Sequence, residues 1–119
     1  MTLAQPLACL IDEDLDPALA GQLAVALDWY VTLVRAEGWL GVKNGPLLQA
    51  MAEAHLQVLV TGDRGLYPQR HAQLLALGIG VVLVRDPARA AERLEAIARA
   101  VSRARAGQLI EVEASPAQQ

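Results

Sequence analysis

Five short apolar runs, residues 7–11, 29–34, 58–61, 79–84 and 109–112, alternate with amphipathic stretches along the chain, and this alternation most constrains what it can fold into. A run that is apolar at successive positions reads as a strand covered on both faces, and an amphipathic stretch between two such runs as the crossover helix of a parallel βαβ unit. The expected fold is an α/β domain, a three-layer α/β/α sandwich around a mostly parallel five-stranded sheet. It spans residues 1–114, with 115–119 as a flexible tail. Right-handed crossovers place the second strand on one side of the first and the third on the other. That order opens a crevice between strands one and three at their carboxyl ends.

Helix signals fall between the runs. Asp16-Pro17 pairs an N-cap residue with Pro at the first helical position, and Leu19, Leu23, Ala26 and Leu27 supply an apolar stripe. Gly38, Gly41 and Gly45 mark residues 35–46 as a long loop, after which helical patterning resumes over 46–54 with Leu47, Leu48, Met51 and Ala52. A further helix is expected over 68–77. Asp86-Pro87 repeats the cap device and predicts one long helix from Pro87 to about Ala106, ended by Gly107. The last run, 109–112, is expected as an edge strand.

Composition narrows the class. The chain has 119 residues, 54% hydrophobic, with no Phe, two Trp and two Tyr, so its core is aliphatic and disorder is excluded. Cys9 is the only cysteine and lies in an apolar run, which excludes a disulfide framework. The segment before Pro6 carries no basic residue of the kind that opens a signal peptide, and the strongest apolar stretch, 74–84, is interrupted by Gly78 and Gly80. A cytoplasmic protein without a membrane segment is expected. The apolar excess also suggests a homo-oligomer.

Acidic residues gather where the topology predicts a ligand crevice. Asp12-Glu13-Asp14 leaves the first strand, and Asp63 follows the third. Carboxylates converging at strand ends repel unless a cation or shared proton offsets them, and an oxygen-only set without His or Cys favours Mg²⁺ or Mn²⁺. Asp12, Asp14 and Asp63 are therefore the candidate catalytic and metal-binding acids, with Glu13 as a further ligand. The plain alternative for any such acid is a turn former or helix cap, and capping is the expected role of Asp16 and Asp86.

The run Leu10-Ile11-Asp12-Glu13-Asp14-Leu15, followed by a helix, a strand, a Gly-containing loop into Asn44 and then Val58-Leu59-Val60-Thr61-Gly62-Asp63-Arg64, resembles the small PIN-like proteins of toxin-antitoxin systems, related to VapC-type ribonucleases. The likeness covers roughly residues 7–84 and rests on the order and spacing of short motifs. It implies a compact α/β/α sandwich and an acidic site that binds Mg²⁺ or Mn²⁺ to cleave RNA, with an antitoxin protein as partner. It carries over Asp12 and Asp63 as metal-binding acids and Glu13 as the second residue of the first motif. The chain departs from the pattern at three positions: Asp14 stands where the family has Asn, Asn44 where it has an acid, which the resemblance makes a further metal ligand through its amide oxygen, and Gly65 where it often has a second Asp. A site with acids missing is also compatible with a catalytically degenerate PIN-like protein that binds RNA or protein.

The net charge of -3 hides a polarised distribution, because six of the ten basic residues lie from Arg85 to Arg105. Most of these alternate with Glu92 and Glu95 as a solvated helix face. Arg64 and Arg85 follow strand ends, and Lys43 sits on the Gly-containing loop. These three are the candidate substrate-binding cations, with structural ion pairing to Asp63 or Asp86 as the alternative for the two arginines. Trp39 either covers the core or stacks on a base. A phosphoryl-transfer or receiver domain would need a Lys after a later strand, whereas Lys43 is the only lysine and precedes the third strand.

Overall fold

The computed structural model describes residues 7–113. The five runs form one sheet of strands β1 (Ala8–Ile11), β2 (Tyr30–Leu33), β3 (Val58–Thr61), β4 (Gly80–Val84) and β5 (Leu109–Val112) in the order β2-β1-β3-β4-β5, and every pairing is parallel. The expected α/β sandwich and the expected order about β1 are both present. The tail expected at 115–119 lies outside the described residues.

Alternation along the strands builds the two helical layers. Cys9 and Ile11 of β1, Val58 and Val60 of β3, and Val82 and Val84 of β4 join one core with helices α1 (Ala18–Leu27) and α4 (Leu94–Arg103). Ala8 and Leu10, Leu59, and Val81 join the other with α2 (Asn44–Glu53) and α3 (Leu66–Leu77). Successive side chains of a strand point to opposite faces, so a strand apolar at every position must be covered twice. Among the described residues no helix is long and apolar enough to cross a membrane.

Helix starts follow local chemistry, with exceptions. Asp16 caps as expected, its Oδ1 accepting the Ala18 N–H at 3.0 Å. In α1 the buried positions are Leu19, Ala20 and Leu23, whereas Ala26 is exposed. Helix α2 begins at Asn44, two residues before Pro46, and therefore brings Asn44 into its first turn.

The largest departure concerns the helix expected from Pro87 to about Ala106. A 3-10 helix spans Pro87–Arg93, α4 begins at Leu94, and both Arg89 and Arg93 leave helical geometry. The reason is tertiary: Ala90 is buried in the core, and the Pro87 carbonyl accepts the Asp16 N–H at 3.4 Å, so this segment is pinned across the start of α1. Asp86 makes no side-chain capping bond to it. Gly107 lies beyond the helix in a left-handed turn (φ +74°), its N–H donating to the Ile79 carbonyl at 2.9 Å.

Candidate functional site

Strands β1 and β3 deliver the acids side by side at their carboxyl ends. The pairing of Ile11 with Val60 is extended by the Asp12 N–H, which donates to the Val60 carbonyl at 2.9 Å. Asp12 is thus held to β3 by its backbone, and its half-buried side chain is held as well. Thr61, fully buried, donates its hydroxyl to Asp12 Oδ2 at 2.7 Å, and the Glu13 N–H donates to Asp12 Oδ1 at 2.8 Å. The same Thr61 hydroxyl accepts the Asp63 N–H at 3.0 Å. One buried side chain therefore fixes one acid directly and the backbone of another.

Asp14 and Asp63 complete the rim. Both Asp14 carboxylate oxygens lie within hydrogen-bonding reach of the Gly62 N–H, at 3.1 and 3.3 Å. Gly62 is required for that approach, since a Cβ there would stand 2.7 Å from Asp14 Oδ2 and 2.7 Å from Pro87 Cγ. Asp63 Oδ1 accepts the Gly65 N–H at 2.9 Å, and Asp63 Oδ2 accepts from Asn44 Nδ2 at 3.2 Å. The Gly-containing loop thereby returns α2 to the crevice, joining Asn44 to an acid from a different strand.

The electrostatics register this convergence. Burial pushes the Asp14 carboxyl above its ordinary value, the negative charge of Asp12 pushes it further, and Asp63 adds a smaller push. The Gly62 N–H opposes the shift by favouring the charged form. Among the described residues no set of three Asp, Glu, His or Cys side chains stands at metal-ligand spacing. Cys9 is fully buried in the sheet, and burial pushes its thiol far up, so it is inert as a nucleophile.

The other expected site residues divide. Glu13 is exposed and lies toward α1 and β2, beside a pocket shared with Asp12. Lys43 and Arg64 are exposed, and each immediately adjoins a residue of the Asn44 to Asp63 hydrogen bond. Arg85 instead turns to β5, where its guanidinium pairs with Glu111 at 2.9 Å and lies 3.9 Å from Glu113. Trp39 packs half-buried on the core between α2 and α3, so the core-covering alternative is the one realised.

Two contributors escape a reading of the sequence. Thr61 looks there like the last residue of a strand, and its bridging role depends on how β3 is aligned with β1. Arg70, on α3, lays its guanidinium 3.1 Å from where a Gly45 Cβ would stand, which keeps the first turn of α2 close. A glycine at the start of a helical pattern was the available signal for that approach.

Comparison of the chain with protein-family models, curated proteins and solved structures found no match.

Proposed function

We propose that this protein is a PIN-like metal-dependent endoribonuclease, with Asp12, Asp14 and Asp63 as its acids and Mg²⁺ or Mn²⁺ as its cofactor. The observation that supports this most is the electrostatic one. Burial first, then the charge of Asp12 and more weakly that of Asp63, hold the Asp14 carboxyl above its ordinary value, in a crevice where the hydrogen bonds at Thr61 and Gly62 bring acids from two strands together and a divalent cation would neutralise them.

The donor set fits such an ion. All candidate ligands are hard oxygens, and each carboxylate oxygen that accepts one hydrogen bond retains a second lone pair. Mg²⁺ keeps several waters and is commonly held by one or two carboxylates, so three convergent acids are not needed. Asp12 and Asp63 would hold it, with Asp14 and Glu13 at the margin and the Asn44 amide oxygen as a neutral ligand. When bound, the ion supplies a lowered water pKa and charge stabilisation at a phosphodiester. The protein's own part is orientation. Thr61 and the Glu13 N–H fix the Asp12 carboxylate, Gly62 holds Asp14, and Gly65 and Asn44 hold Asp63. Arg64 and Lys43, both exposed beside the Asn44 to Asp63 hydrogen bond, would attract the phosphate backbone. The family resemblance supports RNA as the polymer.

The test has two stages. Mn²⁺ is expected to raise the melting temperature of the wild type, and Asp12→Asn to remove the rise; a wild type indifferent to Mn²⁺ and Mg²⁺ would end the metal reading. Mixed-sequence RNA should then be cut by the metal-loaded wild type and left intact by Asp12→Asn and Asp63→Asn. One observation favours a second reading, a degenerate protein that binds RNA without cutting it: Asp63 is contacted by the Asn44 amide where an acid would add negative charge. Retention of RNA without turnover would select that reading.

A further inference from the structure

A pocket of about 140 Å³ opens directly beside Asp12, on the β2 side of β1, walled by Leu15, Leu33 and Leu40 and edged by Glu13 and Arg35. We propose that it receives a single pyrimidine base of the RNA, a subsite that rests on the nuclease reading and adds a base preference to it. Size is the first argument. An apolar cavity of about 150 Å³ holds one six-membered aromatic ring, so this volume takes the single ring of uracil or cytosine, while the second fused ring of a purine stays outside the walls.

The lining is the second argument. Leu40 lines the pocket and is 50% exposed, so a base lying against it would bury apolar surface. Arg35 is exposed, and no ion pair engages it among the described residues. A guanidinium offers only donors, which suits the O2 carbonyl common to uracil and cytosine. Glu13 offers only acceptors, which suits the uracil N3–H or the cytosine amino group. Apolar walls for the ring, with a donor and an acceptor among the lining residues, are what reading an unstacked base requires. Asp12 belongs to both the pocket and the acidic crevice, so a base seated here sets its own phosphate beside the acids.

The experiment is a methyl NMR titration of the full chain in metal-free buffer with uridine, cytidine, adenosine and guanosine monophosphates, and with inorganic phosphate as control. The two pyrimidine nucleotides are expected to shift the Leu15, Leu33 and Leu40 methyls at concentrations at least about 5-fold below the purines, with phosphate leaving them in place. Arg35→Ala, an exposed change that the fold tolerates, should weaken pyrimidine binding roughly 10-fold. Leu33→Phe, which fills the pocket, should abolish it while the Mn²⁺ effect on melting is kept. Equal response to purines, or equal response to phosphate alone, overturns the subsite. Pyrimidine binding in a protein indifferent to Mn²⁺ would retain the subsite and remove the nuclease reading, whereas Mn²⁺-dependent cleavage without methyl shifts would do the reverse.

Discussion

The Thr61 hydroxyl donates to the Asp12 carboxylate at 2.7 Å across 49 positions of sequence, and the same oxygen accepts the Asp63 N–H at 3.0 Å. A buried hydroxyl in this position ties the end of β1 to the turn that follows β3. Thr61→Val keeps the shape and removes both bonds. It should destabilise the protein by about 1–3 kcal/mol, because it deletes a bond to a charged group and strips the Asp63 N–H of its acceptor. Urea denaturation measures the loss, and Thr61→Ser should restore most of it. Wild-type stability in the valine variant would show that the bridge contributes nothing.

Gly62 and Gly21 form a contrasting pair. An added Cβ at Gly62 meets Asp14 Oδ2 and Pro87 Cγ, both at 2.7 Å, whereas at Gly21, within α1, nothing lies within 4 Å. Gly62→Ala is therefore expected to cost about 1–3 kcal/mol through overpacking, and to displace Asp14. Gly21→Ala should instead stabilise by about 0.5–1 kcal/mol through helix propensity and a less free unfolded chain. Matched thermal and urea melts of the two variants check the opposite signs.

Asp14 makes stability depend on pH in a direction set by its raised pKa. Its folded value exceeds the ordinary 3.8, so between the two values the native state holds the proton more tightly than the unfolded chain does. Stability from this group is thus fully present below the ordinary value and declines as pH rises through the raised one. Asp14→Asn removes the decline. In metal-free buffer the melting temperature of the variant minus that of the wild type should grow with pH across that window and then level off. A difference independent of pH would mean that neither burial nor the charges of Asp12 and Asp63 raise the Asp14 carboxyl.

The three cations singled out in the sequence should behave differently. Arg85 is half exposed and paired with Glu111, so Arg85→Ala should change stability by less than about 1 kcal/mol and leave RNA affinity unaltered. Arg64→Ala and Lys43→Ala should each weaken RNA binding and reduce the salt slope by about 0.7, the value for one lost contact to a single-stranded phosphate. Fluorescence anisotropy over a series of salt concentrations separates the cases, and an Arg85→Ala slope change as large as that of Arg64→Ala would reverse the assignment.

Most of the framework is legible in the sequence. β1, β3 and β4 are buried at every position and carry a single polar side chain, Thr61, so burial on both faces leaves them no other role than inner strands of a parallel sheet. Helix boundaries were less legible. The Ala- and Arg-rich stretch after Pro87 has the composition of continuous helix, yet the seating of Ala90 in the core and the bond from Asp16 to Pro87 break it before Leu94. Local propensity is worth a few tenths of a kcal/mol per residue, and such tertiary contacts override it.

At the site the same division holds. That acids leave β1 and β3 at the same edge of the sheet is implicit in the order of strands along the chain, because short right-handed crossovers restrict the strand order. Long-range packing sets the rest: Thr61 bridges Asp12 and Asp63, Asn44 reaches Asp63, Arg85 turns away to Glu111, and a pocket opens between Asp12 and Arg35. Those pairings depend on strand register and on the path of the 35–43 loop. Periodicity records which face a residue occupies, but not which distant residue it meets there.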